Sequence, residues 1–222
     1  MYSQYLLTKT RFLLLLLIVV AVFLGLLFTV RSTQVTSEDL EFSQIIFSHR
    51  TNILTGVLLF VTTLGNQLAI ALGMLVLALL IMRKKWKTML LFVGAIVFST
   101  MLFAFLKNLV GRPRPDLIYQ LITETSFSFP SGHTTTAFTL YPIIALIFGQ
   151  MTKNQKAQVG IFLFAILLAS LVGISRVYLG VHYLTDVVGG MLIGLGTTIL
   201  FSLANDYIKP NKSSINSTLQ LD

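Results

Sequence analysis

Residues 175–186 read SRVYLGVHYLTD and lie between two long apolar runs, in a chain that otherwise keeps charge out of such places. The segment contains Arg176, His182 and Asp186, and the last two are four residues apart, so on a helix they would share one face. An aspartate beside a histidine fixes the imidazole tautomer and stabilises its charged form. An arginine nearby suits a phosphate or a carboxylate. We therefore expect the rest of the chain to bring further cations and a second histidine to this segment.

The composition is that of a polytopic membrane protein. Of the 222 residues, 55% are hydrophobic and 11% are charged, whereas a soluble domain has about 25% charged residues. The mean hydropathy is +0.84. The sequence contains no cysteine, which excludes disulfides and thiolate metal sites. At this length we expect one membrane-embedded domain over residues 1–222.

Apolar runs predict an all-α fold with six transmembrane helices. The first run, 12–30, is too long for the apolar region of a signal peptide, about 7–15 residues, so we expect an uncleaved span. Residues 31–50 mix acidic and apolar side chains, which is typical of an interfacial helix. Residues 51–66 form a short run that lies at the interface or dips into the membrane. The other predicted spans are 67–82, 89–106, 134–148, 159–174 and 181–203.

The last predicted span and the residues that follow it have two further features. Four glycines, Gly189, Gly190, Gly194 and Gly196, would allow close contact with neighbouring helices. Residues 206–222 are polar and rich in Asn and Ser, which favours a frayed tail.

The positive charges indicate how the chain is oriented in the membrane. Six spans put both termini on one side, and ten of the sixteen Lys and Arg residues fall on that side, which the positive-inside rule makes cytoplasmic. These ten are Lys9, Arg11, Arg83, Lys84, Lys85, Lys87, Lys153, Lys156, Lys209 and Lys212. Residues 175–186 are then extracytoplasmic. Because the net charge of +8 comes from short flanks of spans rather than a basic arm, we expect no nucleic-acid partner.

The same topology brings two further polar segments to the outer ends of the spans. Lys107 and Arg114 follow the third span, and FPSGH, residues 129–133, precedes the fourth. Three cations with one obvious internal carboxylate would repel each other unless an anion completes the site. The backbone of Ser131 and Gly132 at a helix N-terminus would add donors, so the set suits a tetrahedral phosphate. We call this set of cations and backbone donors the phosphate cradle.

Taken singly, these features also have structural explanations. Lys107 could be an interfacial anchor, and Ser131 could be only a helix N-cap. His182 and Asp186 could form a structural hydrogen-bonded pair, and Arg114 could lie in a solvated loop. Taken together, the features favour an anion-binding catalytic site, since ionisable residues near a span are usually functional.

Two histidines beside the phosphate cradle would supply a nucleophile and an acid. His182, held by Asp186 with one nitrogen unprotonated, would attack phosphorus, and His133 would protonate the departing oxygen. The competing use of these side chains is a metal site. Two His and one Asp among Lys and Arg would repel a divalent cation, so we predict no metal and no cofactor.

The three segments resemble the signature of the type 2 phosphatidic acid phosphatase family, the lipid phosphate phosphatases that share their site with the vanadium haloperoxidases. The signature is KxxxxxxRP, PSGH and SRxxxxxHxxxD, and it occurs here unbroken and in order over residues 107–115, 130–133 and 175–186. The resemblance covers residues 88–190 by motif and the whole chain by span count. It implies a helical core like that of the haloperoxidases.

The resemblance also implies a role for each site residue. The phosphate-binding residues would be Lys107, Arg114, Ser131, Gly132 and Arg176. His182 would become phosphohistidine, Asp186 would orient it, and His133 would act as acid and then as base toward water. Arg112 falls in the variable gap of the first motif, so we leave it out of the core site.

Within the family, a short six-span chain with an extracytoplasmic site is similar to the bacterial phosphatidylglycerophosphatase B-type enzymes. This similarity implies a lipid substrate from the outer leaflet of the plasma membrane: undecaprenyl pyrophosphate, phosphatidylglycerophosphate or phosphatidic acid. Residues 40–64 would form part of a lateral gate. The sequence does not distinguish among these lipids, between cell-wall carrier recycling and phospholipid synthesis, or between oligomeric states.

Three other functions fit parts of the pattern. A haloperoxidase would hold vanadate in the cradle, but those relatives are mostly soluble. A transporter would use Arg176 and Asp186 as an ion pair, but the charges lie at one membrane face rather than at the midplane. An enzyme like glucose-6-phosphatase would act on a soluble sugar phosphate, which the short chain and the outward-facing site disfavour.

Overall fold

The structure, a computed structural model, describes the backbone of residues 2–208 and the side chains of residues 9–205. Its α-helices are α1 Tyr2–Thr29, α2 Thr33–Ser48, α3 Asn52–Thr63, α4 Gln67–Met82, α5 Trp86–Val110, α6 Gly132–Gly149, α7 Gln155–Tyr178 and α8 Leu184–Ile208. A short 3-10 helix covers Leu117–Tyr119, and no strand occurs in this part of the chain. The predicted all-α fold is confirmed. Most of the predicted tail, residues 209–222 with Lys209 and Lys212, lies outside the described residues.

Five stretches of residues 2–208 are long and apolar enough to cross a membrane, which confirms a multi-pass membrane protein. They are Lys9–Thr29, Asn52–Met82, Trp86–Val110, Gln155–Tyr178 and Leu184–Asn205. Helices α3 and α4 together make the second stretch, so the predicted short run 51–66 is continuous with the predicted span 67–82. The predicted fourth span, 134–148, corresponds to α6 and is not among the five. The count of six spans stays a prediction.

Helix α6 forms the centre of the bundle, where it packs against α5, α7 and α8. Almost every residue from Thr134 to Ile143 is buried, including the hydroxyls of Thr134, Thr135 and Thr139. A helix surrounded by other helices needs a less apolar surface than one that faces lipid. The polar content of α6 therefore follows from its central position.

Glycine permits the close approach of α6 and α8. A Cβ atom at Gly190 would lie 2.6 Å from the carbonyl oxygen of Ser131, and one at Gly194 would lie 2.5 Å from Cβ of Phe138. The predicted role in close helix contact is confirmed at both positions. At Gly196 the nearest atom would be 3.6 Å away, on α1, so this glycine is not required for a close approach.

Helix α2 matches the predicted interfacial segment. Its N-cap is Ser32, whose hydroxyl accepts a hydrogen bond from the backbone N–H of Val35. The helix packs against α7 and α8. Its inner face buries Asp39 and Ser43, while apolar side chains such as that of Ile45 are exposed on its outer face. Helix α2 therefore carries a carboxylate into the end of the bundle where α5 ends and α8 begins.

Candidate active site

The three predicted motif segments come together at one end of the bundle. Lys107 lies in the last turn of α5, and residues 131–133 begin α6. Arg176 lies in the last turn of α7, and His182 lies in the short connection to α8. Because α5 and α6 run in opposite directions, as do α7 and α8, the ends of α5 and α7 lie at the same end of the bundle as the starts of α6 and α8. The fold therefore assembles one site from segments far apart in sequence.

His182 and Asp186 form the pair that their spacing predicts. Nδ1 of His182 lies 3.3 Å from Oδ2 of Asp186, and Nε2 lies 3.2 Å from Nη1 of Arg114. With the carboxylate on its Nδ1 side, the ring is assigned its hydrogen at Nδ1, which leaves the lone pair on Nε2. Burial lowers the pKa of His182 to about 4, although Asp186 acts to raise it. The ring is therefore neutral at pH 7, with its unprotonated nitrogen toward Arg114.

The carboxylate of Asp186 is held by several donors. Oδ2 accepts the backbone N–H of Tyr183 at 2.9 Å and the hydroxyl of Ser128, in addition to His182. Oδ1 accepts Nη1 of Arg112 at 2.8 Å. Since Asp186 is fully buried, protein groups rather than water fix its orientation.

The three predicted phosphate-binding cations converge on the same place. Nη2 of Arg114 and Nζ of Lys107 both donate to the hydroxyl of Ser126, at 3.1 Å and 3.2 Å. The guanidinium of Arg176 is almost fully buried and donates through Nη1 to the hydroxyl of Thr62 at 2.7 Å. A cavity of about 510 Å³ opens beside Lys107 and Arg114. The predicted cradle thus has both cations and an adjoining space.

Glu124, which the sequence did not single out, lies across the cradle. Its carboxylate oxygens are 2.5 Å from Nη2 of Arg176 and 3.8 Å from Nη2 of Arg114. Burial acts to raise the pKa of Glu124, but Arg176 and Arg114 outweigh it and hold the pKa below its usual value. Glu124 is therefore ionised at neutral pH. The expectation of a single internal carboxylate is wrong, because Glu124 is a second one.

Arg112 lies behind the cradle and contacts Asp186 directly. Its Nη1 and Nη2 atoms are each 2.8 Å from a carboxylate oxygen, of Asp186 and Asp39 respectively. Its guanidinium also lies 4.3 Å from the centre of the Tyr183 ring. Burial acts to lower the pKa of Arg112, but the two carboxylates outweigh it and raise the pKa. The sequence left Arg112 out of the core site, and the structure makes it a partner of a predicted catalytic residue.

The start of α6 offers fewer backbone donors than the sequence predicts. The N–H of Ser131 donates to the carbonyl of Asp186 at 3.0 Å, so this group is engaged within the protein, and the prediction that it faces an anion is corrected. The Ser131 hydroxyl is the N-cap and accepts from the hydroxyl of Thr134 at 2.9 Å. Gly132 is the first helical residue, where a backbone N–H has no partner inside the helix.

His133, the predicted acid, follows Gly132 in the first turn of α6. It is half-buried, and it lies within the electrostatic reach of Arg176, Glu124, His182 and Lys107. Both histidines of the predicted site therefore belong to one charged cluster.

No group of three or more His, Asp and Glu side chains within the described residues is arranged to hold a metal ion. The two carboxylates nearest the cradle, Asp186 and Glu124, are each paired with arginine. The independence of the site from metal stays a prediction.

Comparison with known families agrees with this geometry. The profile of the PAP2 superfamily matches residues 88–209, which is more than half of the chain. The chain belongs to the PAP2 superfamily. The matched region contains all three motif segments and helices α5 to α8.

Two relatives from Bacillus subtilis (strain 168) and one solved structure are similar to the chain. Phosphatidylglycerophosphatase B is 42% identical over 131 residues, 56% of this chain and 60% of that protein. Undecaprenyl-diphosphatase BcrC is 27% identical over 169 residues, 73% of this chain and 81% of that protein. The crystal structure of the transmembrane PAP2 type phosphatidylglycerolphosphate phosphatase from Bacillus subtilis has a TM-score of 0.82 at 33% identity, covering 88% of this chain and 98% of that one. The predicted fold class is thereby confirmed.

Proposed function

We propose that the chain is a membrane lipid phosphatase that hydrolyses phosphate monoesters or diphosphate esters of lipids through a phosphohistidine intermediate. The observation that carries this proposal is the buried neutral His182, with its Nε2 atom 3.2 Å from Arg114 in a cluster of cations. Membership of the PAP2 superfamily supports phosphoryl chemistry. Relatives named for phosphatidylglycerophosphate and undecaprenyl diphosphate support a lipid substrate.

Binding would begin with an exchange of anions in the cradle. The phosphate would take the place of the Glu124 carboxylate beside Arg176 and Arg114, and Lys107 would add a third cation. The Nε atom of Arg176 is buried without a hydrogen-bond partner within residues 9–205, which makes it a donor that an anion can satisfy. Further donors would be the N–H of Gly132 and the hydroxyl hydrogen of Ser131.

The first chemical step would transfer the phosphoryl group to the enzyme. The lone pair on Nε2 of His182 would attack phosphorus and form a P–N bond, while the P–O bond to the leaving group breaks. His133 would donate a proton to the departing oxygen. Asp186 would stabilise the positive charge that develops on the ring of His182. With a diphosphate substrate the leaving group is the lipid monophosphate.

The second step would return the enzyme to its starting state. His133 would accept a proton from water, the water oxygen would attack phosphorus, and the P–N bond would break. Inorganic phosphate would then leave the cradle, and Glu124 would pair again with Arg176. Every proton and electron pair in both steps belongs to this chain, the substrate or water, so we expect turnover without an added metal.

One feature supports a lipid that reaches the site from within the membrane. An apolar cleft of about 250 Å³ lies between α4, α5 and α6, and its walls include Thr136, which is one turn along α6 from His133. We assign the lipid chains to this side of the bundle. The predicted gate, residues 40–64, lies in α2 and α3 instead, and Arg50 within it donates to the carbonyls of Tyr119 and Tyr178, so the gate stays a separate prediction.

The proposed location is the bacterial plasma membrane, with both termini cytoplasmic and the site facing outward. The distribution of Lys and Arg supports this orientation, since the cluster Arg83, Lys84, Lys85 and Lys87 lies at the end of the bundle opposite the cradle. The substrate would then come from the outer leaflet.

The test is phosphate release by the purified protein in detergent with EDTA present. Undecaprenyl pyrophosphate, phosphatidic acid and phosphatidylglycerophosphate are offered side by side, with glucose 6-phosphate as a soluble comparison. We expect release from at least one lipid, resistance to EDTA and inhibition by vanadate, and the rank order identifies the substrate. No release from any lipid would contradict the proposal and return the transport function to consideration. Preference for glucose 6-phosphate would contradict the lipid assignment alone.

A further inference from the structure

A buried network joins helix α2 to the predicted catalytic aspartate. Asp39 on α2 is 5% exposed, and its Oδ2 atom lies 2.8 Å from Nη2 of Arg112. Its Oδ1 atom accepts the backbone N–H of Thr185 at 3.1 Å, and the Thr185 hydroxyl donates to the same carboxylate. Thr185 immediately precedes Asp186. A carboxylate remote in sequence thus contacts both the arginine and the backbone that adjoin Asp186.

One guanidinium joins the two carboxylates. Arg112 directs Nη2 to Asp39 and Nη1 to Asp186, each at 2.8 Å, and Nη1 also donates to the Thr185 hydroxyl at 2.7 Å. The other oxygen of Asp186 lies beside Nδ1 of His182. Asp39, Arg112, Asp186 and His182 therefore form one continuous chain of hydrogen bonds, and all four side chains are buried.

We propose that Asp39 is a positioning residue that acts on His182 through Arg112, Thr185 and Asp186. The inference rests on the proposed function, because it gives Asp39 a role in the chemistry proposed for His182. It also extends the machinery to helix α2, which lies outside the region matched by the PAP2 profile, residues 88–209.

The geometry predicts that Asp39 affects the position of the Asp186 carboxylate as well as the stability of the protein. Nε of Arg112 is buried without a hydrogen-bond partner among the described residues, so the guanidinium is held by its Nη atoms alone. Without the Asp39 charge, Nη2 would lose its anionic acceptor as well, and the guanidinium would turn toward Asp186, where a bidentate pairing is available. Such a turn would draw the carboxylate of Asp186 away from Nδ1 of His182. The cations that bind phosphate, which make other contacts, would stay in place.

The first test compares Asp39→Asn with Glu38→Gln. Glu38 is the neighbouring carboxylate on α2, it is exposed and it accepts a hydrogen bond from Gln34, so its amide variant controls for the loss of a negative charge from this helix. We expect Asp39→Asn to lower kcat about 10- to 100-fold, as small displacements of a reacting group do, with KM within about twofold of the wild type. Glu38→Gln should keep kcat near the wild-type value. Thermal unfolding in detergent monitors the folding of both variants.

The second test separates positioning from a structural role. In the Arg112→Lys variant, one ammonium cannot make both Nη contacts, so Asp39 is already uncoupled from Asp186. Adding Asp39→Asn to Arg112→Lys should therefore lower kcat by less than about threefold. Thr185→Val, which replaces the hydroxyl with a methyl group, should also lower kcat. Thr185→Ser keeps the hydroxyl and should retain a kcat near the wild-type value. If Asp39→Asn fails to fold, the comparison of kcat between Thr185→Val and Thr185→Ser tests the inference instead.

Several outcomes would overturn the inference while leaving the proposed function intact. They are a wild-type kcat for Asp39→Asn, an equal loss of kcat for Glu38→Gln, and the full loss of kcat from Asp39→Asn in the Arg112→Lys background. A wild-type protein inert toward every lipid phosphate would instead overturn the proposed function, and this inference with it.

Discussion

The two ends of the helical bundle carry the same kinds of cation in opposite environments. At the end that carries the three motif segments, Arg112 and Arg176 are almost fully buried, and each is paired with at least one carboxylate. At the opposite end, a basic cluster is exposed and forms no hydrogen bond or ion pair through its side chains within residues 9–205. This cluster consists of Arg83, Lys84, Lys85 and Lys87.

The comparison teaches that burial, rather than residue type, distinguishes a site from a topology signal. An exposed cation keeps its hydration and contributes little to stability even when it is paired. A buried guanidinium loses that hydration and requires compensation by anions, which Glu124 and the two carboxylates around Arg112 provide. The exposed cluster is accounted for by the orientation of the chain in the membrane that the sequence predicts.

The largest expected effect comes from the buried histidine. His182→Ala should lower turnover by more than about 10⁴-fold with the fold intact, because the attacking atom is removed. The control is His49→Ala, since His49 lies at the same end of the bundle but is exposed and bonds mainly to its own helix. Phosphate release from the preferred lipid is the measurement. A His182→Ala rate within tenfold of wild type would contradict the nucleophile assignment.

A slightly smaller decrease in kcat is expected when Asp186, the anionic partner of the His182 ring, is replaced. Asp186→Asn should lower kcat by about 10³- to 10⁴-fold, as a misoriented catalytic histidine does elsewhere. Vanadate should still bind, because the cradle cations are unchanged, and its inhibition of the residual activity measures this. If Asp186→Asn kept the wild-type kcat, the proposed orienting role would be wrong.

The comparison of the two ends of the bundle is tested most directly by making the same Arg→Gln substitution at each end. Arg176→Gln should lower kcat/KM about 100-fold, since a charged hydrogen bond to phosphate is worth up to about 3 kcal/mol. Arg83→Gln should leave kcat/KM within twofold. Both are measured on the same lipid at the same detergent concentration. A comparable loss in the two variants would remove the distinction between buried and exposed cations.

The smallest effect concerns the carboxylate that lies across the cradle. Glu124→Gln removes the charge that competes with phosphate, so vanadate and inorganic phosphate should inhibit about 3- to 10-fold more tightly. Glu38→Gln is the matched control, because Glu38 lies on α2 away from the cavity beside the cradle and is exposed. Inhibition constants provide the measurement. Unchanged inhibition in Glu124→Gln would mean that Glu124 and phosphate do not compete.

The motifs and the hydrophobic pattern predict most of the architecture and the principal site residues. The spacing of His182 and Asp186 predicts their contact, and the alternation of spans predicts that Lys107, Arg114 and Arg176 meet at one face. The cations meet because alternating spans return to one end of the bundle. The contact of His182 with Asp186 has a different origin from the one predicted, because His182 precedes α8 and reaches Asp186 from the turn that leads into that helix. The interfacial helix was predictable from its mixture of acidic and apolar residues.

The site residues that the sequence did not indicate are brought to the site by packing between segments that are far apart in the chain. Asp39 and Arg112 are 73 residues apart, and nothing in either local sequence indicates that they pair. Glu124 lies in an irregular loop, where periodicity gives no information about direction. A usable signal was present for two of the three: Asp39 is an acidic residue in an amphipathic helix, and Arg112 is embedded in the first motif. The central position of α6 likewise follows from tertiary packing, because the apolar run 134–148 predicts a span but does not indicate that α5, α7 and α8 surround it.

The central claim, attack by Nε2 of His182 on phosphorus, is tested most directly by capturing the covalent intermediate. A substrate labelled in its terminal phosphate is mixed with the enzyme, quenched in alkali to preserve phosphohistidine, and digested for mass spectrometry. The account predicts label on the peptide that contains His182, at a level that rises before steady-state phosphate release and is lost in His182→Ala. Active wild-type enzyme with no labelled histidine, or with label only on another residue such as His133, would contradict it.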